Sequence, residues 1–197
     1  MKKMIFVILT TILLASCVKD RVKAGRDLFH GGEVDVKASQ SAGVIVIKSG
    51  TAFNPFEGNG RSCASCHRAE NKFGMSEATR DGLSADDRFF YMGLDEDQAL
   101  LKGHGLVHVI GDGLDEFRQT PALNELCTLC NNYGNCESLG LNSDRTSNLQ
   151  AFSLGAVINH HARSPARQPG VDFVLPSPGQ VKDLVDYMLS SDVCEGL

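Results

Sequence analysis

Residues 57–77 read EGNGRSCASCHRAENKFGMSE. Cys63 and Cys66 stand three apart, and His67 follows the second at once. Cys-x-x-Cys-His is the attachment signature of c-type haem. Two thiols add to the vinyl groups on one edge of a porphyrin, and the next residue then lies under the iron as an imidazole ligand. For this composition roughly 0.007 chance matches are expected along the chain, so the spacing is informative. Two other readings use the same residues. A thioredoxin-type thiol pair belongs between a strand and a helix, a context the sequence lacks. A zinc site needs a second ligand pair, which Cys127-Thr-Leu-Cys130 can supply. Cys130 is followed by Asn131 and not by histidine, so this second pair makes no second haem site. One covalent haem c is expected, attached at Cys63 and Cys66 and ligated by His67.

The chain opens MKKMIFVILTTILLASC. Two lysines precede an apolar run from Ile5 to Ala15, too short for a span of about 20 apolar residues and suited to the core of an export signal. The run ends in Leu14-Ala15-Ser16-Cys17, which resembles a bacterial lipobox and implies a diacylated Cys17 as the mature N-terminus. The organisation expected is a signal over residues 1–16, a lipidated tether over 17–24 and a haem domain over 25–197. Removing 16 of 197 residues leaves 181, enough for one domain with a sizeable core. Two lysines leave with the signal, so the net charge becomes 17 − 24 = −7. An acidic chain with no basic run argues against nucleic acid as a partner. The expected place is a bacterial periplasm, with lipid at Cys17 holding the domain to a bilayer. In that oxidising compartment spare cysteines tend to pair. Cys127, Cys130, Cys136 and Cys194 remain, an even number that suits two disulfides of open connectivity.

Helical signals dominate the rest. Arg21–His30 carries Val22, Leu28 and Phe29 and stops at Gly31-Gly32. Residues 43–47 (GVIVI) read as a short strand. A helix is expected over Asp95–Lys102, followed by a glycine-spaced segment holding His104 and His108. Residues 131–148 are rich in Asn, Gly and Ser and read as an irregular excursion. Ser147 and Gln150 form a capping box for a helix running to about His161. Ser177 and Gln180 form another, with Pro178 at the first helical position. Behind it Val181, Leu184, Val185, Met188 and Leu189 trace a core-facing stripe.

Three segments together, NGRSCASCHRAENKF, FRQTPALNEL (117–126) and LQAFSLGAVINHHARS (149–164), resemble the C-terminal haem domain of bacterial di-haem cytochrome c peroxidases. The resemblance covers roughly residues 24–192. It implies a mainly α, cytochrome-c-like fold with long loops packed around one haem. It also sets Arg118 near a haem propionate, as a charge-assisted hydrogen bond. The departures are equally specific. Di-haem peroxidases carry two Cys-x-x-Cys-His motifs and this chain carries one. The region 131–148 holds cysteine where the family has a short turn. The family's second axial ligand stands three residues after the valine of an Ala-Val pair, and Ala156-Val157 places His160 there.

A helical wheel addresses the same residue independently. At about 100° per residue from Leu149, Phe152 falls near −60°, Ala156 near −20°, His160 near 20° and His161 near 120°. His160 is thus expected on the buried stripe, where the resemblance implies a metal ligand, and His161 at its edge. Met75, Met92, His104, His108 and Met188 are the competing ligands, Met188 being read as packing on the last helix's stripe. The function expected is electron transfer by a lipid-anchored monohaem cytochrome, with a periplasmic or membrane redox protein as partner. A peroxidase-like enzyme fed by a separate electron donor and a haem subunit of a larger respiratory complex are the alternatives.

Overall fold

The structure is a computed structural model that describes residues 18–31, 56–85, 87–90, 98–111, 114–137 and 148–195. The export signal, Cys17, the strand expected over 43–47, Met92 and Ser147 lie outside these residues.

The described chain is mainly α. Helix α1 spans residues 18–30, so the stretch read as a polar tether forms its first turns. It stops at Gly31, whose φ of 60° is the left-handed cap that glycine adopts without a Cβ clash. There follow α2 (Cys63–Cys66), a 3-10 turn (Ala69–Asn71), α3 (Glu77–Asp81), a second 3-10 turn (Arg88–Phe90) and α4 (Gln98–His104). Two strands come next, β1 (Leu106–Gly111) and β2 (Leu114–Gln119). They pair antiparallel, with Val107 opposite Arg118 and His108 opposite Phe117. The hairpin replaces the irregular glycine-spaced segment expected from the sequence. Then come α5 (Leu126–Leu129), α6 (Leu149–His160), α7 (Pro178–Met188) and α8 (Ser191–Cys194).

Local chemistry accounts for the long helices. The Ser177–Gln180 capping box forms as expected, with Pro178 in the first turn. On α6 the cap falls one residue later than expected. Asn148 Oδ1 accepts from the amides of Gln150 and Ala151 at 3.0 and 3.1 Å, since Asn caps at least as well as Ser.

The main core joins α1, α6 and α7 around Phe29, Phe56, Phe73, Val157, Leu184 and Tyr187. Helices α1 and α7 cross at Gly25, where a Cβ would meet the Asp183 carbonyl oxygen at 1.9 Å. A smaller cluster of Met75, Phe89 and Leu101 lies apart. Cys127 and Cys194 sit at disulfide distance, with Cα atoms 5.9 Å apart at a sequence separation of 67. Cys130 and Cys136 form the second pair, at Cα–Cα 3.9 Å. The open connectivity is thereby resolved in favour of one long-range and one local link.

Candidate functional site

Helix α2 is a single turn, held by reciprocal bonds between Ser62 and Ser65; the Ser62 amide donates to Ser65 Oγ at 2.9 Å. One turn puts residues three apart on the same face, and the His67 amide closes it on the Cys63 carbonyl at 2.9 Å. Cys63, Cys66 and His67 therefore line one cavity of about 260 Å³.

His67 is oriented from behind. Its Nδ1 donates to the Phe73 carbonyl at 2.8 Å, which leaves Nε2 as the nitrogen able to ligate. A carbonyl partner of this kind fixes ring and tautomer in metal-ligating histidines. The turn that delivers the carbonyl is unusual. Lys72 and Phe73 both have left-handed backbones, at φ 54° and 58°, and the Phe73 amide returns to the Arg68 carbonyl at 2.8 Å. Burial lowers the His67 pKa against the raising effect of the Phe73 and Pro121 carbonyls, so the ring is neutral. The Phe29 ring packs against it at 6.2 Å between centroids.

The two cysteines remain thiols. Burial, then the neighbouring Cys66, pushes Cys63 up to about 12. A redox-active pair needs a thiol lowered towards neutrality, so this environment disfavours the thioredoxin-type reading. The zinc reading loses its second pair, because Cys127 and Cys130 face Cys194 and Cys136 instead. Among the described residues no group of three or more His, Cys, Asp or Glu side chains is placed to hold a metal ion.

Opposite walls come from distant segments. The stripe of α6 that the wheel selects, Leu149, Phe152, Ala156 and His160, lines the cavity, together with Ser153. His160 is half-buried because this stripe faces a cavity and not solid core. The wheel misjudges His161, which is 5% exposed and also lines the cavity. Its Nδ1 donates to the Arg61 carbonyl at 2.9 Å, and its ring meets Phe56 edge-on at 4.8 Å. Burial, then the neighbouring His160, brings its pKa down to about 3. Leu184 and Met188 of α7 close another side, so Met188, read as plain packing, faces the cavity as well.

Two arginines reach the same space. Arg118, on β2, pairs with Glu116 and lines the cavity. Arg61 is 3% exposed and donates from a terminal guanidinium nitrogen to the Phe89 carbonyl at 2.9 Å. Arg61 was missed from the sequence; its only signal there is a basic residue two before the first motif cysteine. Thr120 also lines the cavity, and its buried hydroxyl finds no hydrogen-bond partner among the described residues. The remaining competitors stand elsewhere. Met75 belongs to the smaller cluster, His104 is exposed at the end of α4, and His108 stacks on Phe117 with centroids 4.5 Å apart.

The donor set suits a haem. Two thiols and a carbonyl-oriented imidazole share one wall, the other walls are mostly apolar, and two guanidinium groups offer partners to carboxylates. No protein family, curated protein or solved structure matches the chain.

Proposed function

We propose that the protein is a monohaem c-type cytochrome that carries single electrons. The observation that carries this reading is the convergence of Cys63, Cys66 and His67 on one largely apolar cavity, with His67 Nδ1 anchored to the Phe73 carbonyl. Bound haem would supply an iron that cycles between two oxidation states. The chain's own residues supply everything around it. Cys63 and Cys66 would form the thioether links, and burial, which raises the Cys63 pKa, keeps that thiol protonated and weakly reactive until attachment. The Phe73 carbonyl raises the basicity of His67 and holds its ring still, which favours the oxidised iron. His160, three residues after Val157 on the cavity-lining stripe, would hold the iron together with His67. Two imidazoles would leave no position for peroxide and would give a lower potential than His–Met ligation. Arg118, which lines the cavity beside Glu116, would pair a propionate.

The surrounding fold is cytochrome-c-like, in keeping with the resemblance to the C-terminal domain of di-haem peroxidases. Acylation of Cys17 holds the domain to a bacterial membrane on its periplasmic side, where a separate periplasmic or membrane redox protein exchanges electrons with it.

The test is the mass and absorption spectrum of the protein matured in a host with the haem-attachment machinery. One covalent haem per chain and a six-coordinate, low-spin ferric spectrum, inert to peroxide and cyanide, are expected. Cys63→Ala with Cys66→Ala should abolish attachment. A chain that takes up zinc and no porphyrin sinks the proposal. A high-spin ferric spectrum with peroxide turnover would replace the electron carrier by the peroxidase-like enzyme.

A further inference from the structure

The last turn of α6 is tied to the loop that enters α2. The carbonyls of a helix's final residues have no partners within the helix, and here the loop supplies them. The Asn59 amide donates to the His161 carbonyl at 2.8 Å, and Asn59 Nδ2 donates to the His160 carbonyl at 2.9 Å. Contact is so close that a Cβ on Gly58 would stand 1.8 Å from the His161 oxygen. His161 completes the link in the other direction. A carbonyl can only accept, so the 2.9 Å contact fixes Nδ1 as donor to Arg61. The imidazole is enclosed on its other side by Phe56, which is fully buried. One ring thus joins the loop two residues ahead of Cys63 to the helix end that carries His160.

We propose that His161 is the positioning residue of this centre, locking His160 in register with the haem-attachment motif. The proposal rests on the single-haem reading with His160 as second axial ligand. Without the latch, the end of α6 frays as helix ends do, and His160 leaves its place over the cavity part of the time. The attachment side would be unaffected, because His67 is held by Phe73 and not by this loop.

The experiment uses the haem-loaded protein. His161→Phe keeps a planar ring, somewhat larger, and removes the donor. It should retain covalent haem by mass, show a high-spin fraction in the ferric spectrum and bind cyanide faster, by roughly the tenfold or more that loss of a ligand-orienting partner takes from metal affinity. His161→Asn, whose Nδ2 can reach the same carbonyl, should restore most of the low-spin spectrum. Asn59→Ala removes the side-chain bond to the His160 carbonyl, keeps the amide bond to the His161 carbonyl and leaves His161 in place, so it decides the matter if the Phe variant does not fold. A high-spin fraction in Asn59→Ala supports the latch. An unchanged spectrum and cyanide rate in Asn59→Ala, or in a fully loaded His161→Phe, overturns it. Two controls separate this from the reading beneath it. A wild-type chain with no porphyrin removes the haem reading, and an unchanged spectrum in His160→Ala removes the ligand assignment; either result takes the latch with it.

Discussion

Gly25→Ala should destabilise the protein even though alanine is the better helix former. A new Cβ at this position would stand 1.9 Å from the Asp183 carbonyl oxygen, 2.5 Å from its carbonyl carbon and 2.8 Å from Tyr187 Cβ. Ordinary contact begins at 3.4 Å, so the crossing must open by about 1.5 Å against helix backbone that no rotamer change can move aside. Overpacking of this kind costs about 1–3 kcal/mol. Exchanging glycine for alanine inside a helix returns about 1 kcal/mol. The strain should win, because opening the crossing also loosens Phe29 from Tyr187, whose rings pack edge-on at 5.3 Å. A net loss of about 1–2 kcal/mol is expected, lowering Tm by roughly 2–8 °C for a chain of this size. Gly155→Ala on α6 is the matched control, since nothing lies within 4 Å of its would-be Cβ. It should show the propensity gain alone and raise the urea midpoint. Both variants would be measured by urea and thermal unfolding in one buffer. If Gly25→Ala stabilises as much as Gly155→Ala, the close crossing of α1 and α7 is wrong.

The two cysteine links should differ in worth. Loop-closure entropy predicts about 4 kcal/mol for the 67-residue separation of Cys127 and Cys194, against about 2 kcal/mol for the six-residue separation of Cys130 and Cys136. Paired Ser variants in urea should rank in that order, and thiol titration of the unfolded, unreduced protein should find none of the four free. Acid should weaken the fold. Burial, then Arg26, holds His30 below its ordinary value of 6.5, so near that pH the folded chain binds fewer protons than the unfolded one. Stability is then full above about pH 6.5 and falls as pH drops through the lowered folded value; His67 and His161 act with the same sign. His30→Gln should reduce the acid slope of the urea midpoint, and an unchanged slope would mean that His30 is charged beside Tyr187. Lys72→Gly should stabilise by about 1 kcal/mol, because the left-handed backbone at φ 54° costs a lysine what it does not cost glycine. A lower Tm in that variant would count against this conformation.

What the sequence made legible was local. The Ser177–Gln180 box and the stripe behind it need only neighbours along one helix, and both are found. That Cys63, Cys66 and His67 share one cavity wall needs only their own spacing. Asn148 displaced the expected cap because two good capping residues stood side by side, and only the helix's tertiary setting chooses between them. The hairpin is hard to read because the glycines in LVHVIGDGLDEFRQ punctuate the segment, although Gly-Asp-Gly between two alternating runs is itself a hairpin signal. His161 and Arg61 were illegible for a different reason. A wheel knows one helix, and His161 is buried by a loop a hundred residues away in the chain. Arg61 is buried by the carbonyl of Phe89, which no local pattern announces. Met188 was half-read, since a single apolar stripe serves both the core and the cavity wall.

The link between Cys127 and Cys194 gives the chain a covalent topology of a ring with a tail. The ring, residues 127–194, contains α6, α7 and α8, and the smaller Cys130–Cys136 loop nests inside it. Cys63 and Cys66 lie on the tail. A group joined to them is therefore carried outside the covalently closed segment. With the four already closed in pairs, the motif thiols also have no cysteine of the ring left to pair with.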